Sequence, residues 1–538
     1  MPHAISAIQN QVVEWRYTSG APYNDPFNDV ELDVLLRSLP GETWKVPAFW
    51  AGQQEWRVRF SPPKTGKYVV TTVCSDTSNT DLHSRTAILN AVAHDSENPL
   101  LRYGPLRVAD SKRTLEHADG TPFFWLGDTW WMGLCKRLSW PEDFKRLAAD
   151  RASKGFTVIQ IVAGLYPDMP PFDPRSANEA GLPWQENYGR INPAYFDMAD
   201  LRIQWLVRSG LVPCIVGAWG YHLPFLGVQK MKQHWRYLIA RWGAYPVVWC
   251  LAGEGAMPYY LSENRLEDAR TQVAGWTEIG RYVRETDPYH RLTTIHPTQV
   301  GRDQLEDDTV LDLDMLQTGH GGYGSVPNTV VQIVSERPRE PLMPVIVGEV
   351  NYEGILHGTG PETQRLTFWA ATLSGAAGFT YGANGLWQVN TREAAYGPSP
   401  HGGNWGDTPW EEAYQLPGSM HLSLAKCLLQ RYDWPLFEPH QDWVVPCGGP
   451  ENVNAPFAAG IPRQVRIIYL YEPPFPWSAE PPCVSNIEQD VRYSAFFWNP
   501  RNGQEHDLGA VQVDTRGSWQ IPILPTLTDW VLVMQRRS

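Results

Sequence analysis

Short apolar segments alternate with longer helical stretches between about residues 120 and 390, and this alternation constrains the fold more than any other feature. The segments are rich in Val, Ile and Trp and are bounded by Gly or Pro, as buried parallel strands are. We count eight of them, at residues 123–128, 156–162, 211–219, 247–254, 291–297, 313–320, 344–349 and 378–387. This number and spacing predict a (β/α)8 TIM barrel, with an open sheet as the alternative.

The sequence on either side of this region has β character. Up to about residue 93, runs such as EWRVRFSPP and GKYVVTTVCS are separated by turn clusters, which predicts a β-sandwich. The last ~110 residues contain similar runs and the hairpin signal Asn502–Gly503, which predicts a second β-sandwich. We therefore expect a multidomain chain with a β-sandwich at 1–93, the barrel at 94–428 and a β-sandwich at 429–538.

Composition argues against several classes of partner. The net charge is −13 and no Lys/Arg-rich block is present, which argues against nucleic acid and anionic membranes. No apolar stretch approaches the ~20 residues of a membrane-spanning helix. The N-terminus has no secretory pattern, so we expect a cytoplasmic chain, or an exported one if a leader was removed. The seven cysteines form no C-x-x-C pair, and we expect no metal and no cofactor. The oligomeric state stays open.

Two of the apolar segments end on a glutamate. VVWCLAGE ends at Glu254 and PVIVGE ends at Glu349, the fourth and seventh predicted strands. In a barrel, residues just past the C-terminal ends of the strands line the mouth, and strands four and seven lie across it from each other. An unpaired charge is costly to bury, so the two glutamates are expected to have a partner or a function. Two carboxylates facing one bond are what glycoside hydrolysis requires.

Other predicted strand tips supply polar and aromatic groups. Such groups form a cup that binds sugar hydroxyls and stacks on sugar rings, and an aromatic content of 12% with 25 Trp suits this. The predicted substrate-binding residues are Asp128, Trp130, Trp131, Gln160, Trp219, His222, His296, Gln317, His320, Tyr352, Tyr381 and Trp387. The alternative is that single Trp side chains belong to the core and that a strand-tip carboxylate serves a salt bridge. Glu353 is interpreted as a supporting or rim residue.

Several motifs together resemble the apiosidase-like glycoside hydrolases, a branch of the retaining barrel glycosidases. They are DGTPFFWLGDTWW, KGFTVIQIV, YPVVWCLAGE, LQTGHGGY, PVIVGEVNYEG and SGAAGFTYGANGLW. The flanking segments resemble the β-domain that often precedes such barrels and the collagen-binding-like sandwich that often follows them. The resemblance implies that Glu254 is the acid/base and Glu349 the nucleophile. The chain departs from the family pattern at Ala252-Gly253-Glu254, where an Asp after a Gly-Gly pair is usual.

The resemblance implies a retaining glycoside hydrolase. We expect a furanoside such as an apioside, or an uncommon plant or microbial glycoside, and the long loop after strand two favours exo action. One alternative is a catalytically inactive carbohydrate-binding protein. Another is a dinucleotide-dependent oxidoreductase, because residues 319–324 read G-x-G-x-x-G after a strand. Pro327 beside that turn, and its position after the sixth strand, argue against this second alternative.

Overall fold

The computed structural model describes residues 4–39, 41–471 and 482–537, and an eight-stranded parallel barrel lies at its centre. The barrel strands, numbered one to eight, are Trp125–Thr129, Val158–Val162, Val212–Val216, Val248–Cys250, Thr293–Thr294, Asp314–Gln317, Val345–Glu349 and Gly378–Tyr381. In the sheet they follow the order five, four, three, two, one, eight, seven, six. The predicted barrel and its eight strands are confirmed, and each strand is shorter than its predicted segment.

The barrel closes without a regular ladder between strands five and six. Instead, the backbone N–H of Asp312 donates to the Thr293 carbonyl at 2.8 Å, and the Thr294 hydroxyl donates to the Leu313 carbonyl at 2.9 Å. Strands such as Val158–Val162 are buried along their whole length, because side chains fill the interior and helices cover the outside. The result is a nearly closed barrel with a packed core.

Helices follow seven of the eight strands. They are Glu142–Ser153, Pro193–Arg208, His222–Trp242, Arg265–Thr286, Val326–Glu336, Pro361–Leu373 and Pro417–Leu429, with short helices at Pro26–Asp29, Pro99–Arg102 and Trp410–Ala413. After strand five the described chain forms only the 3-10 turns Arg302–Gln304 and Asp308–Val310. Gly301 lies so close to strand six there that a Cβ would meet the Met315 carbonyl oxygen at 2.9 Å. The chain passes close along strand six at that point.

The N-terminal sandwich consists of two sheets. One contains Ala4–Ile8, Thr86–Val92, Gly66–Cys74, Leu32–Ser38 and Thr43–Pro47, and the other contains Val13–Thr18, Glu55–Phe60 and Phe49–Gly52. A buried ion-pair network joins it to the outer helices of the barrel. Asp200 accepts from Arg59 Nη2 at 2.5 Å and from Arg241 Nη1 at 2.7 Å. Because both cations share one buried carboxylate, the sandwich is fixed to the barrel at a defined place. A further small sheet, Leu106–Val108, Leu115–His117 and Pro122–Phe123, leads into strand one.

The C-terminal sandwich packs against a different part of the helical layer, on helix Pro361–Leu373. Its large sheet contains Glu438–Pro439, Phe457–Ile461, Val465–Leu470, Trp530–Arg536, Tyr493–Trp498 and Glu505–Ala510, and its small sheet contains Val444–Val445, Cys483–Val484 and Trp519–Gln520. The hairpin predicted at Asn502–Gly503 joins two of these strands. Arg365, on the helix after strand seven, forms an ion pair with Asp529 at 2.6 Å. The exact domain boundaries stay a prediction.

All seven cysteines are free, and four of them are buried: Cys74, Cys135, Cys214 and Cys250. None of the described helices is both long and apolar enough to cross a membrane.

Candidate active site

A cavity of about 310 Å³ opens at the C-terminal ends of the barrel strands. Its wall contains eight of the predicted residues: Trp131, Trp219, Glu254, Gln317, His320, Glu349, Tyr352 and Trp387. It also contains eight residues that were not predicted: Pro167, Asp168, Met257, Tyr260, Arg265, Ile355, His401 and Trp405. The two carboxylates on strands four and seven therefore do share one cavity with aromatic walls.

Glu349 is the last residue of strand seven and is only 6% exposed. His320 Nε2 lies 2.7 Å from its Oε1, and His296 Nε2 lies 3.1 Å from its Oε2. Burial by itself would raise the pKa of Glu349, but the two imidazoles outweigh it and hold that pKa well below the usual carboxylate range. Glu349 is therefore an anion throughout the neutral and mildly acidic range.

Contacts at both ring nitrogens orient His320. A carboxylate can only accept, so Nε2 carries the proton that is donated to Glu349. The backbone N–H of Tyr352 points at the other ring nitrogen, Nδ1, at 3.5 Å. His320 thus orients Glu349 through the hydrogen bond from Nε2.

Glu254 follows strand four in a left-handed backbone conformation, with φ of +45°. Such a conformation is costly for a residue with a Cβ and is found where the surroundings impose it, often at functional sites. The Trp219 indole N–H donates to Glu254 Oε2 at 3.1 Å. Burial, together with the negative charge of Glu349, raises the pKa of Glu254 to about 7. Near neutral pH this carboxyl therefore exchanges a proton while Glu349 stays ionised.

The glycine before Glu254 is explained by the Trp219 ring. A Cβ at Gly253 would lie 2.1 Å from that ring, so no larger residue fits while Trp219 keeps its place. The backbones of Trp219 and Gly253 also form a parallel bridge. The Ala-Gly-Glu sequence and Trp219 are therefore one structural unit, in which the indole lies against the strand-four tip and holds the acid.

Gln317 connects the two carboxylates. Its amide nitrogen lies 3.2 Å from Glu254 Oε1 and 3.4 Å from Glu349 Oε1. The distance between those two oxygens cannot exceed the sum of these values, about 6.6 Å, whereas carboxyl groups of inverting glycosidases stand about 6.5–9.5 Å apart. This upper bound excludes most of the inverting range and includes the about 5–5.5 Å of retaining enzymes.

His296 and the aromatic residues complete the inner part of the site. The buried His296 ring lies edge-on to Trp131, with centroids 5.2 Å apart, and Trp131 lies edge-on to Trp219 at 5.4 Å. On the opposite side Tyr352 packs against His320 at 4.7 Å. In the described structure the Tyr352 hydroxyl has no hydrogen-bond partner although it is buried. This hydroxyl lies close to Glu349.

His296 contacts Glu349 but is not part of the cavity wall. Five further predicted substrate-binding residues also lie outside the wall, and the first two are Asp128 and Trp130. Asp128 is fully buried and accepts from Arg151 Nε at 2.6 Å, from the Trp130 indole at 2.7 Å and from the Thr129 N–H at 2.9 Å. Trp130 packs edge-on against Phe144. These residues form a buried ion pair that ties strand one to its helix, so the prediction of sugar contacts for them is corrected.

Gln160 and Tyr381 also serve the scaffold. The Gln160 amide crosses the barrel and donates to the Gly348 carbonyl at 2.7 Å, next to Glu349. The Tyr381 hydroxyl donates to Glu353 at 2.6 Å, and Glu353 also accepts from the Gly418 N–H at 2.9 Å. Glu353 is thereby a buried anchor for the last barrel helix, a supporting residue as interpreted, and it is not on the rim.

His222 is the fifth residue. It begins the helix after strand three, and its Nε2 donates to the Tyr166 carbonyl at 3.0 Å. Burial lowers its pKa to about 4, so the ring is neutral. It lines a separate small cavity behind the loop after strand two, together with Tyr188.

The G-x-G-x-x-G segment at 319–324 does precede a helix, Val326–Glu336, with Pro327 in its first turn. Pro327 is compatible with this helix, because proline is well accepted in a first turn, where its missing N–H has no partner to lose. The loop has another use in this chain. It carries His320, which donates to Glu349, and the sheet is a barrel and not a doubly wound one.

Comparison with known proteins identifies the family. The apiosidase-like catalytic domain family matches residues 109–435, which is more than half of the chain. The chain belongs to the apiosidase-like family. It is a glycoside hydrolase, and its substrate is a carbohydrate. A domain of unknown function matches residues 8–75 of the N-terminal sandwich.

Solved structures show the same fold as this apiosidase-like chain. One glycoside hydrolase is 22% identical with a TM-score of 0.65, and covers 82% of this chain and 98% of its own. A family 5 glycoside hydrolase from Bacteroides vulgatus is 21% identical with a TM-score of 0.66, covering 81% and 94%. A provisionally assigned glycoside hydrolase from the same organism is 16% identical with a TM-score of 0.68, covering 99% and 100%. None of the curated proteins compared with the chain matches it.

The carboxyl, amide and imidazole groups that line the cavity can bind sugar hydroxyls and transfer protons. Within the part of the chain that the structure describes, no group of three or more His, Cys, Asp or Glu side chains is arranged to hold a metal ion.

Proposed function

We propose that the chain hydrolyses a glycosidic bond with retention of configuration, with Glu349 as nucleophile and Glu254 as acid/base. The observation that carries this is the pair of carboxyl groups joined by Gln317, close together and with opposite pKa shifts. Groups whose surroundings separate their pKa values in this way are matched to different tasks. The anion attacks, and the group with the pKa of about 7 transfers protons.

The reaction has two steps. In the first, a Glu349 oxygen forms a bond to the anomeric carbon as the glycosidic bond breaks, and the leaving oxygen takes the proton of Glu254. In the second, Glu254 removes a proton from water, whose oxygen displaces Glu349 from the anomeric carbon. The sugar leaves with its original anomeric configuration, and both carboxyl groups return to their starting protonation states.

The surrounding groups orient the two carboxyls. His320 donates a hydrogen bond to one oxygen of Glu349, and His296 lies 3.1 Å from the other, which restricts the direction of attack. Gln317 donates to Glu349 and to the ionised form of Glu254, and so stabilises the negative charge wherever it resides. Trp219 keeps the acid at the cavity wall through its indole N–H. These are positioning roles, because each acts on the substrate through a carboxyl group.

The shape of the cavity favours cleavage of a terminal sugar. A volume of about 310 Å³ is at the low end of the about 300–1,000 Å³ that is usual for small-ligand sites. The loops after strands two and eight meet at its edge, where the Tyr396 hydroxyl donates to the Pro167 carbonyl at 3.2 Å. A cavity closed in this way holds a chain end better than a chain interior. The family match supports a furanoside such as an apioside as the first substrate to test.

A panel of 4-nitrophenyl glycosides tests this function. Apiofuranosides, arabinofuranosides and common hexopyranosides are incubated with the wild-type chain, and release of 4-nitrophenolate identifies the sugar. The configuration of the first sugar product is then followed by NMR before it equilibrates. We expect the anomer of the substrate. Appearance of the opposite anomer first would show inversion and would reject Glu349 as a nucleophile.

The pH dependence of kcat/KM follows from the two carboxyl groups. Glu254 must be protonated, so activity is lost as pH rises through about 7, at about tenfold per pH unit beyond it. Glu349 must be ionised, and its lowered pKa places the loss on the acid side well below the usual carboxylate range. We expect a plateau on the acid side of neutrality, measured on the aryl glycoside. As a control, enzyme incubated at each pH is returned to pH 6 and assayed, so that loss by unfolding is distinguished from reversible titration. A fall in activity on the alkaline side already near pH 4–5 would contradict the assignment of Glu254 as the acid.

A further inference from the structure

A third carboxylate, Asp168, lines the cavity and has no part in the two-step reaction. It lies in the loop after strand two, is 7% exposed and has a left-handed backbone with φ of +57°. In the described structure no Lys, Arg or His side chain forms an ion pair with it, and the neighbouring Arg175 pairs with Asp173 instead, at 2.7 Å. A buried carboxylate without a cation is costly unless hydrogen-bond donors satisfy it.

Side chains from two other loops hold Asp168 in place. The Trp405 indole donates to Ser399 Oγ at 3.3 Å, and the Ser399 hydroxyl in turn donates to Asp168 Oδ1. The Asp168 backbone N–H donates to the Tyr260 hydroxyl at 3.1 Å. A carboxylate offers about four acceptor positions, so this arrangement leaves acceptor capacity toward the cavity. The residue is thus oriented by donors that leave it unneutralised.

Asp168 and its neighbours lie on the Glu254 side of the cavity. Tyr260 belongs to the loop that Glu254 begins. Trp219, which holds Glu254, donates its backbone N–H to the Leu165 carbonyl, in the loop of Asp168, at 2.7 Å. The negative charge of Asp168 also contributes to the raised pKa of Glu254. The side chains next to Glu349 are instead His320 and His296, which follow other strands. Because Glu254 protonates the leaving oxygen, its side of the cavity receives the leaving group.

We propose that Asp168 is a specificity-determining residue that accepts hydrogen bonds from hydroxyl groups of the leaving group, so that the preferred leaving group is itself a sugar or a comparable polyol. The Trp405 and His401 rings line the same part of the wall, and the Trp405 ring offers a flat apolar face for that second ring. This inference rests on the proposed function. It adds that the natural substrate is a glycoside of a hydroxylated partner and not of an apolar aglycone.

The test compares two leaving groups on one sugar. For the sugar identified in the panel, kcat/KM is measured on its 4-nitrophenyl glycoside and on its disaccharide with glucose, for wild type and Asp168→Asn. Asn keeps an acceptor for Ser399 but loses the charge-assisted bonds to hydroxyls. We expect the ratio of disaccharide to aryl-glycoside kcat/KM to fall about 10- to 100-fold in the variant. Ser399→Ala, which frees the carboxylate to turn, lowers the same ratio by less.

Asp173→Asn is the matched control, since Asp173 is a carboxylate of the same loop that lies outside the cavity wall and is paired with Arg175. It leaves the ratio unchanged. A ratio that stays within twofold of wild type in Asp168→Asn overturns the proposal, even if both activities fall together, because a general loss indicates only a structural role. A wild-type chain inactive on both substrates would instead reject the proposed function, and this inference with it.

Discussion

Glu349→Gln lowers kcat/KM on the aryl glycoside by about 10⁴-fold or more, since the amide cannot form the glycosyl-enzyme bond. The replacement keeps the size of the side chain and leaves an oxygen that accepts from His320. The fold is therefore preserved, and circular dichroism with thermal unfolding verifies this. Initial rates of 4-nitrophenolate release measure the loss, with the enzyme at micromolar concentration to detect residual turnover.

Glu353→Gln is the control for this variant. Glu353 is also a buried carboxylate just beyond strand seven, but it serves Tyr381 and the Gly418 N–H, and a glutamine oxygen still accepts from both. Its activity stays within about tenfold of wild type, as expected for a scaffold residue. Glu349→Gln activity above about one per cent of wild type would remove Glu349 from the nucleophile role. In Glu349→Ala, added azide restores turnover and gives a glycosyl azide of inverted configuration, because azide attacks the anomeric carbon directly.

The strand tips could be predicted because they depend on local sequence. A short β-branched run that ends in Gly-Glu indicates a buried strand whose end reaches the barrel mouth, and the order of strands in a barrel then brings Glu254 and Glu349 together. The same logic failed for Asp128 and Gln160. Both do lie on barrel strands, but their partners are Arg151 and the Gly348 carbonyl, and only the folded structure shows these contacts.

The aromatic content of the sequence did not identify which Trp residues line the cavity. Trp131, Trp219 and Trp387 line the cavity, yet many other Trp side chains, including Trp125 and Trp249, are fully buried in the core. Stacking sites and core positions draw on the same residue type, so composition does not separate them. Periodicity distinguishes strands from helices, and it contains no information on which side of a strand tip faces the cavity.

The outer part of the site was missed because it is built from contacts between loops. Asp168, His401 and Trp405 lie well beyond the ends of strands two and eight, in long irregular segments. They reach the cavity because the Tyr396 hydroxyl binds the Pro167 carbonyl and Ser399 binds Asp168. The Trp405-Ser399-Asp168 series has no sequence spacing that would reveal it. Loop residues that define specificity are therefore the part of such a site that a single sequence conceals best.

Glu254→Ala separates substrates according to how much help their leaving groups need. Loss of a general acid costs about 10²–10⁴-fold, and this cost falls on leaving groups that must be protonated. We expect the disaccharide rate to fall by that amount, while formation of the glycosyl-enzyme from the 4-nitrophenyl glycoside falls far less. Hydrolysis of the glycosyl-enzyme then becomes slow, because no base activates water. A burst of 4-nitrophenolate followed by a slow steady state, together with a lowered KM, measures this change.

Two further results would identify Glu254 as the acid/base and not merely as a charge beside the nucleophile. The alkaline limb near pH 7 disappears in the Glu254→Ala variant, since that limb is the titration of Glu254 itself. Azide accelerates the slow step and gives a glycosyl azide of retained configuration, the opposite of the product from Glu349→Ala, because here azide attacks the glycosyl-enzyme. An azide of the same configuration from both variants, or an unchanged alkaline limb, would contradict the assignment of the two roles. The pair of products therefore tests both carboxyl groups with one chemical probe.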